Sequence, residues 1–504
     1  MLVLGIAGGA AQASQLMKPA PEVTVPQVLI KLYQQGQISQ SEYTTDRYRW
    51  AGAIAEEKTL GGWRRQDLTD VTALLNELAN TKKVTAARLP ILFLTLQNNM
   101  SYWKTGKQLV YADRVSFPGS LLEWEYYPGY GLQLQVLGTF GEANGFYEAG
   151  KADYPKLAQV LDEMEQVAVP RAGGVAWEYY FNWEGGAPPW VSAMAQATGI
   201  EALANGYLAT GDESYLTEAH DALPLLEQPP PTGVAVNTTL GRRYLQYSFA
   251  PHTDIINAFL QTLIGLYDYA QVSHDTQALH LFNIGNAQAE SELPSFVVSG
   301  WSLYQPGELD DLNYHELVTG FAQSLCKKLA VAVYCNTAND FAFDLQTVPT
   351  LTQITRQAPP NQKFSFFFNV TKPAYVGITV SRNGKNYIYT KKEFFEGTHS
   401  FSGPKLKAGI YSVTMSVTDI AGHYKEITGQ LQICSTGCPA LPPIALPPVP
   451  TPTTTTSTST STTTTPTTTT TSTTSTTTTP TTTTTTGTGT GTTTTGGGTG
   501  GAPL

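Results

Sequence analysis

The sequence predicts a mainly α protein: an (α/α) toroid of helical hairpins over residues 26–343, followed by a small immunoglobulin-like β-sandwich over 344–438 and a disordered tail over 439–504. Three observations predict it. A string made of a helix, a glycine and a second helix recurs about every sixty residues, the signature of hairpins packed side by side. Beyond Asp340 the apolar period changes from that of a helix to that of a strand. From Ala440 the chain turns Pro-rich, then almost pure Thr, Ser and Pro, then Gly-rich, and has little apolar surface to offset the entropy of ordering.

Residues 1–13, MLVLGIAGGAAQA, are apolar and small, and Ala11-Gln12-Ala13 has the small-x-small form of a signal-peptidase site. They are expected to be a signal-peptide remnant lacking its basic leader. No later run is apolar enough over the roughly 20 residues that a membrane span needs. A secreted or cell-surface location is the expectation. From Val28 to Trp103 the pattern is helical. Leu68, Val71, Leu75 and Leu78 share one face, and the apolar segment Arg88 to Trp103 carries Pro90 in its first turn, where a missing N–H costs least.

Two aromatic, irregular stretches follow, SLLEWEYYPGYGLQ from Ser120 and AWEYYFNWEGGAPPW from Ala176, each just before a repeat helix. Loops at one end of a toroid line its mouth. Trp, Tyr and Glu together suit a sugar, whose apolar faces stack on rings while its hydroxyls bond carboxylates. Tyr127, Trp177, Glu178 and Trp190 are therefore expected on the rim of a site.

The recurring string reads NGFYEAGKADYPKLA from Asn144, NGYLATGDESYLTEA from Asn205 and IGLYDYAQVSHDTQA from Ile264. In the second, Ile200, Leu203, Ala204, Tyr207 and Leu208 form a helical stripe that Gly211 stops. Asp212 caps a following helix with the stripe Tyr215, Ala219, Ala222, Leu223 and Leu226, bent or ended by Pro224. A weaker fourth copy starts near Tyr314 and fades after Cys326.

The four cysteines form two close pairs, Cys326 with Cys335 and Cys434 with Cys438, as expected for local disulfides in an exported protein. A metal site is the competing reading, weakened by the distance between the pairs and by a Cys-x-x-x-Cys spacing that is not a common zinc knuckle. FSFFFNV, YVGITVS, NYIYTKK, YSVTMSVTD and EITGQLQI read as short strands. Asn383-Gly384 is a hairpin turn signal, and the strand count favours the immunoglobulin-like sandwich. In an exported protein the Thr-rich tail reads as an O-glycosylated stalk or wall-spanning spacer.

The net charge of −10, with no long Lys/Arg run, argues against nucleic acid as a partner. No GxSxG, HExxH, P-loop or GxGxxG context occurs, so no serine hydrolase, zincin or nucleotide chemistry is indicated, and no cofactor or metal is expected.

The string PPWVSAMAQATGIEALANGYLATGDESYL, with YLQYSFAPHTDIINAFLQTLIGLYDYAQ and GWSLYQPGELDDLNYHELVTGFAQSL after it, resembles the C-terminal catalytic domain of the D-glucuronyl C5-epimerases over roughly Tyr126 to Leu329. Those enzymes invert carbon 5 of glucuronic acid in a polysaccharide. The resemblance implies a uronic-acid-containing polysaccharide, or a cell-wall or surface glycan, as partner. It implies that Tyr247, Tyr304 and Tyr314 are catalytic, and that Gln246, Asn257 and His315 contact substrate. Departures from the family pattern fall beside these tyrosines: Leu245-Gln246 replaces an acidic pair, Ser248 a proline, Asn313 an aspartate, and Asp311 an arginine.

Inverting carbon 5 removes a weakly acidic proton from one face and returns one from the other, which needs two acid/base groups and stabilisation of an enolate-like intermediate. A phenol, with an ordinary pKa of about 10, suits so weak a carbon acid if neighbouring charge lowers it. Arg242 and Arg243 are the expected clamps for the sugar carboxylate. Two other readings stay open: a polysaccharide lyase on the same fold, which abstracts the same proton and then eliminates, and a non-catalytic surface protein that binds glycan.

Overall fold

The computed structural model describes residues 23–448; residues 1–13 and the Thr-rich tract lie outside them. Twelve α-helices are described: α1 (Val25–Gln34), α2 (Gln40–Thr59), α3 (Gly62–Asn80), α4 (Leu89–Thr105), α5 (Val136–Ala149), α6 (Tyr154–Glu165), α7 (Ala193–Thr210), α8 (Ser214–Asp221), α9 (Ile256–Ser273), α10 (Thr276–Glu292), α11 (Leu312–Leu329) and α12 (Ala332–Gln346). From α5 on they pair as four hairpins. The first helices of the hairpins stand side by side in the order α5, α7, α9, α11.

Each repeat string spans a hairpin turn. At α7 the turn is closed by Gly211, at φ 79°, whose N–H bonds the Tyr207 carbonyl. Asp212 accepts from Ser214 N at 2.9 Å, but the N-cap of the second helix is Glu213, one residue later than expected, and that helix gives way to a short 3₁₀ turn at Leu223–Leu226. Two further sequence readings are corrected. The α7 stripe holds at Ile200, Leu203 and Ala204 but not at its end, where Tyr207 is half-buried and Leu208 exposed, and the most buried stretch lies before it, from Ala193 to Ile200. The fourth hairpin does not fade at Cys326: α12 buries Tyr334, Thr337, Ala338 and Phe341, and a Cys326–Cys335 disulfide ties it to α11. Cys434 and Cys438 form the second disulfide, which sets aside the metal reading of these cysteines.

Short strands fill the loops at the starts of these inner helices: β1 (Arg114–Val115), β2 (Trp124–Tyr127), β3 (Gly131–Leu134), β4 (Val169–Arg171), β5 (Gly174–Ala176), β6 (Ala235–Asn237), β7 (Arg242–Tyr244), β8 (Val297–Val298), β9 (Trp301–Gln305) and β10 (Glu308–Leu309). They pair as the sheets β1–β2–β3 and β8–β9–β10 and the hairpins β4–β5 and β6–β7, all antiparallel.

After α12 come β11 (Leu351–Gln353), β12 (Gln357–Ala358), β13 (Phe364–Val370), β14 (Ala374–Arg382), β15 (Lys385–Phe394), β16 (Gly397–Gly403), β17 (Gly409–Asp419) and β18 (Tyr424–Ile433). They form a three-stranded sheet, β11–β13–β16, and a five-stranded one, β12–β18–β17–β14–β15. Alternate residues of both sheets, Phe366 and Phe368, Val376 and Ile378, Val413 and Met415, share one core, as period-two patterning requires.

The inner row owes its tightness to small residues. A Cβ built at Gly265 of α9 would lie 2.2 Å from the backbone oxygen of Ala197 in α7. That oxygen cannot swing aside as a side chain does. Gly265→Ala is therefore expected to push the two helices apart and to cost about 3 kcal/mol of stability, at the upper end for overpacking. A urea titration with an unchanged midpoint would refute this contact.

Candidate active site

From Trp177 to Trp183 the chain is tied by isolated β-bridges at Tyr179 and Trp183, and from Glu178 on successive side chains go to opposite sides. On one side Tyr179 stacks on Trp190 at 4.1 Å between ring centroids, Phe181 stacks on Tyr127 at 4.1 Å, and Trp183 lies parallel to Tyr111 at 6.2 Å. On the other side Glu178, fully buried, accepts hydrogen bonds from Arg88, Arg171 and Tyr180 at 2.7–2.8 Å. Two guanidinium groups hold the Glu178 carboxyl below the ordinary range in spite of burial.

Three tyrosines from three elements meet above the ring floor. Tyr247 follows β7 and packs edge-on against Trp190 at 5.6 Å and face to face with Phe249 at 5.2 Å. Tyr304 lies on β9 and Tyr314 in the first turn of α11, with ring centroids 4.8 Å apart. The Tyr247 oxygen is approached by donors from Tyr304, Gln246 and Trp183. The Trp183 indole N–H is buried and meets no acceptor within ordinary hydrogen-bond geometry.

Burial pushes all three phenols up, opposite to the lowering expected from the sequence. Tyr247 rises to about 12, while Tyr304 and Tyr314 are raised further. The three donors hold Tyr247 below its neighbours. The charges acting on the three hydroxyls are carboxylates: Glu184 on Tyr247, Glu184 and Glu308 on Tyr304, Asp310 and Asp311 on Tyr314. Tyr111, facing Trp183 and Glu184, is pushed to about 12 by burial and by Glu125 and Glu184.

The wall behind Tyr314 is a closed polar network. His315 is fully buried, stacked on Trp301 at 3.7 Å. Its Nε2 lies 3.1 Å from the Phe341 carbonyl and must donate to it; Nδ1, 2.7 Å from Ser302 Oγ, must then accept. Ser302 has one proton to give, so the proton between it and Asp310 belongs to the carboxyl, which burial raises to about 7. Burial also lowers His315 to about 4, which keeps the ring neutral.

Several residues expected at the site sit elsewhere. His315 is a core residue, because both ring nitrogens are satisfied by protein. Trp177 packs on Phe140 and donates to the Met164 carbonyl. Glu178 is closed in its ion cluster. Arg243 is held by Asp254 and Glu292, and Arg242 bonds Asn237 and the Leu226 carbonyl, so both expected clamps are engaged. Asn257 is buried near the start of α9 with its Oδ1 unpartnered. Tyr127 and Trp190 form the buried floor, not the rim. Tyr111, Phe181, Trp183, Glu184 and Phe249 join the cluster without having been singled out. Among the described residues no group of three or more His, Cys, Asp or Glu side chains is placed to hold a metal ion.

Raised phenol pKa values bind protons more tightly in the folded than in the unfolded chain. The stability they contribute is full below the unfolded value near 10 and is lost as pH rises through the folded value, about 12 for Tyr247 and Tyr111. Urea midpoints should hold from neutrality to about pH 10 and fall above it, less steeply in Tyr247→Phe. Phenolate absorbance of the native protein that develops fully by pH 10 would contradict this.

A family model described as D-glucuronyl C5-epimerase C-terminus matches residues 173–342. A D-glucuronyl C5-epimerase of Caenorhabditis elegans is 38% identical over 86 residues, 17% of this chain and 14% of that protein. An uncharacterized protein of Methanocaldococcus jannaschii is 24% identical over 155 residues, 29% of this chain and 50% of that one. The chain thus spans half or less of the length of these relatives. Among solved structures, a GH76 α-mannanase of Bacteroides thetaiotaomicron aligns with a TM-score of 0.33 at 12% identity, over 46% of this chain and 66% of the other. Residues 173–342, which carry Trp183, Tyr247, Tyr304 and Tyr314, are thus similar to the D-glucuronyl C5-epimerase C-terminal family.

Proposed function

We propose that this is an exported carbohydrate-active enzyme that inverts carbon 5 of uronic acid residues in a polysaccharide by tyrosine-mediated proton abstraction and return. The observation that carries the reading is the meeting of Tyr247, Tyr304 and Tyr314, from three separate elements, over an aromatic floor inside a segment similar to the epimerase family. Groups whose surroundings separate their pKa values divide into base and acid. Tyr247, the least raised, is the base. Tyr304 and Tyr314, more firmly protonated, return a proton and donate hydrogen bonds to the sugar carboxylate or the enolate formed from it. With both arginines engaged, phenol and indole donors take the clamping role.

The row of hairpins supports an (α/α) toroid, and the strand order of the two C-terminal sheets supports an immunoglobulin-like sandwich. Residues 1–13 and the two disulfides support export, with the Thr-rich tract as a surface stalk.

A second reading is a glycan-binding surface protein without turnover, favoured by the carboxylates around raised tyrosines. The test is incubation with uronate polymers in deuterated water. Deuterium should appear at carbon 5, faster as pH rises toward the Tyr247 value, and each of Tyr247→Phe, Tyr304→Phe and Tyr314→Phe should slow exchange by roughly a hundredfold without comparable loss of thermal stability. Products absorbing in the ultraviolet would indicate a lyase instead. Binding without exchange would leave the glycan-binding reading.

A further inference from the structure

The β-rich C-terminal part meets the site through one buried cation. Lys372, in the turn between β13 and β14, is 1% exposed. Its ammonium spends its three protons on the Asp344 carbonyl, the Thr347 carbonyl at 3.1 Å and the Asp419 carboxylate at 2.7 Å. The first two are carbonyls at the C-terminus of α12, which a cation both bonds and neutralises. Asp419, at the end of β17, is also held by His423 through its backbone N–H at 2.7 Å and its ring at 3.0 Å. The ammonium lies 5.2 Å from the Trp301 ring centroid, a cation–π contact, and Trp301 is the residue stacked on His315. Gly300, at φ 79°, leaves room for this approach: a Cβ there would come within 2.7 Å of the lysine stem.

The chain of contact therefore runs from Lys372 to Trp301, and from Trp301 both along β9 to Tyr304 and through His315 to its neighbour Tyr314. We propose that the β-rich part is a positioning element of the tyrosine site, with Lys372 as the residue that fixes β9 and the start of α11 so that Tyr304 and Tyr314 meet Tyr247. Lys372 touches none of the three tyrosines and takes no part in proton transfer. The catalytic side of this inference rests on the epimerase reading above; the positional side does not. Removing the charge leaves the α12 carbonyls without their cation and Asp419 with His423 alone, and frees the Trp301 ring, whereas Tyr247 keeps its floor of Trp190 and Phe249.

The test uses the full chain carrying Lys372→Met, which keeps the apolar stem and removes the cation. Amide hydrogen exchange is expected to quicken by roughly tenfold or more in 301–305 and 312–318, while 190–200 and the strand centres of β14 and β17 stay as in the parent. With a uronate polymer, kcat for exchange at carbon 5 should fall by roughly tenfold with KM changed far less, the split expected when bound substrate meets misplaced catalytic groups. Unchanged amide exchange at 301–305 and 312–318 overturns the proposal, whatever the activity. If the parent shows no turnover on any polymer, the epimerase reading fails and the amide arm still decides the positional one. Should Lys372→Met not fold, Asp419→Asn, which leaves the lysine its two carbonyls, is expected to give the same local pattern at smaller amplitude, and a change confined to β17 and β18 would overturn the proposal.

Discussion

The close approach of α7 and α9, backbone to backbone at Gly265 and Ala197, is the constraint from which the rest follows. Small residues let the inner helices stand shoulder to shoulder, and hairpin connections make every inner helix run the same way. Their starts, at Val136, Ala193, Ile256 and Leu312, then lie at one end of the row, and the loops entering them have to share that space. A rigid row with crowded loops at one end is the usual way a fold brings distant stretches of chain into one site. Here it assembles Tyr111, Tyr127, Trp183, Tyr247, Tyr304 and Tyr314 from the stretches of chain that enter α5, α7, α9 and α11.

Crowding also decides the electrostatics. Phenols pressed among other rings lose water, and desolvation is the largest influence on each. Nearby carboxylates add to it because an anionic phenolate is disfavoured beside another anion. Positive charge, by contrast, is consumed in structural roles: Arg88 and Arg171 on Glu178, Arg243 on Asp254 and Glu292, Lys328 on Asp268, Lys372 on Asp419. What remains around the three tyrosines is a set of neutral donors of graded acidity.

Periodicity made the hairpins legible in the sequence, because amphipathic helices repeat their pattern wherever they pack on similar neighbours. Gly211 and Asp212 marked their turn through local chemistry that needs no tertiary context. The strand runs after Asp340 were legible for the same reason. The three tyrosines of the site were legible through resemblance, and Tyr127 and Trp190 through the composition of the two aromatic stretches, though as floor and not as rim. Trp177 and Trp183 share one phase of the segment, and that Trp177 packs on Phe140 while Trp183 lies against Tyr111 is decided by neighbours that only the fold supplies. Tyr111 arrives from a loop far upstream with no local signal. That Arg243 and His315 were committed to partners followed from Glu292 and Phe341, whose proximity only the fold creates.

The alternation along residues 178–183 has a consequence for the length of the segment. One side of this segment closes the Glu178 ion cluster and the other lays the aromatic floor, so the two are locked in register. Point substitutions can retune either face separately. A one-residue insertion or deletion would exchange them, driving rings into the space of the paired charges and a carboxylate onto the floor. The packing therefore constrains the length of this segment more tightly than its composition.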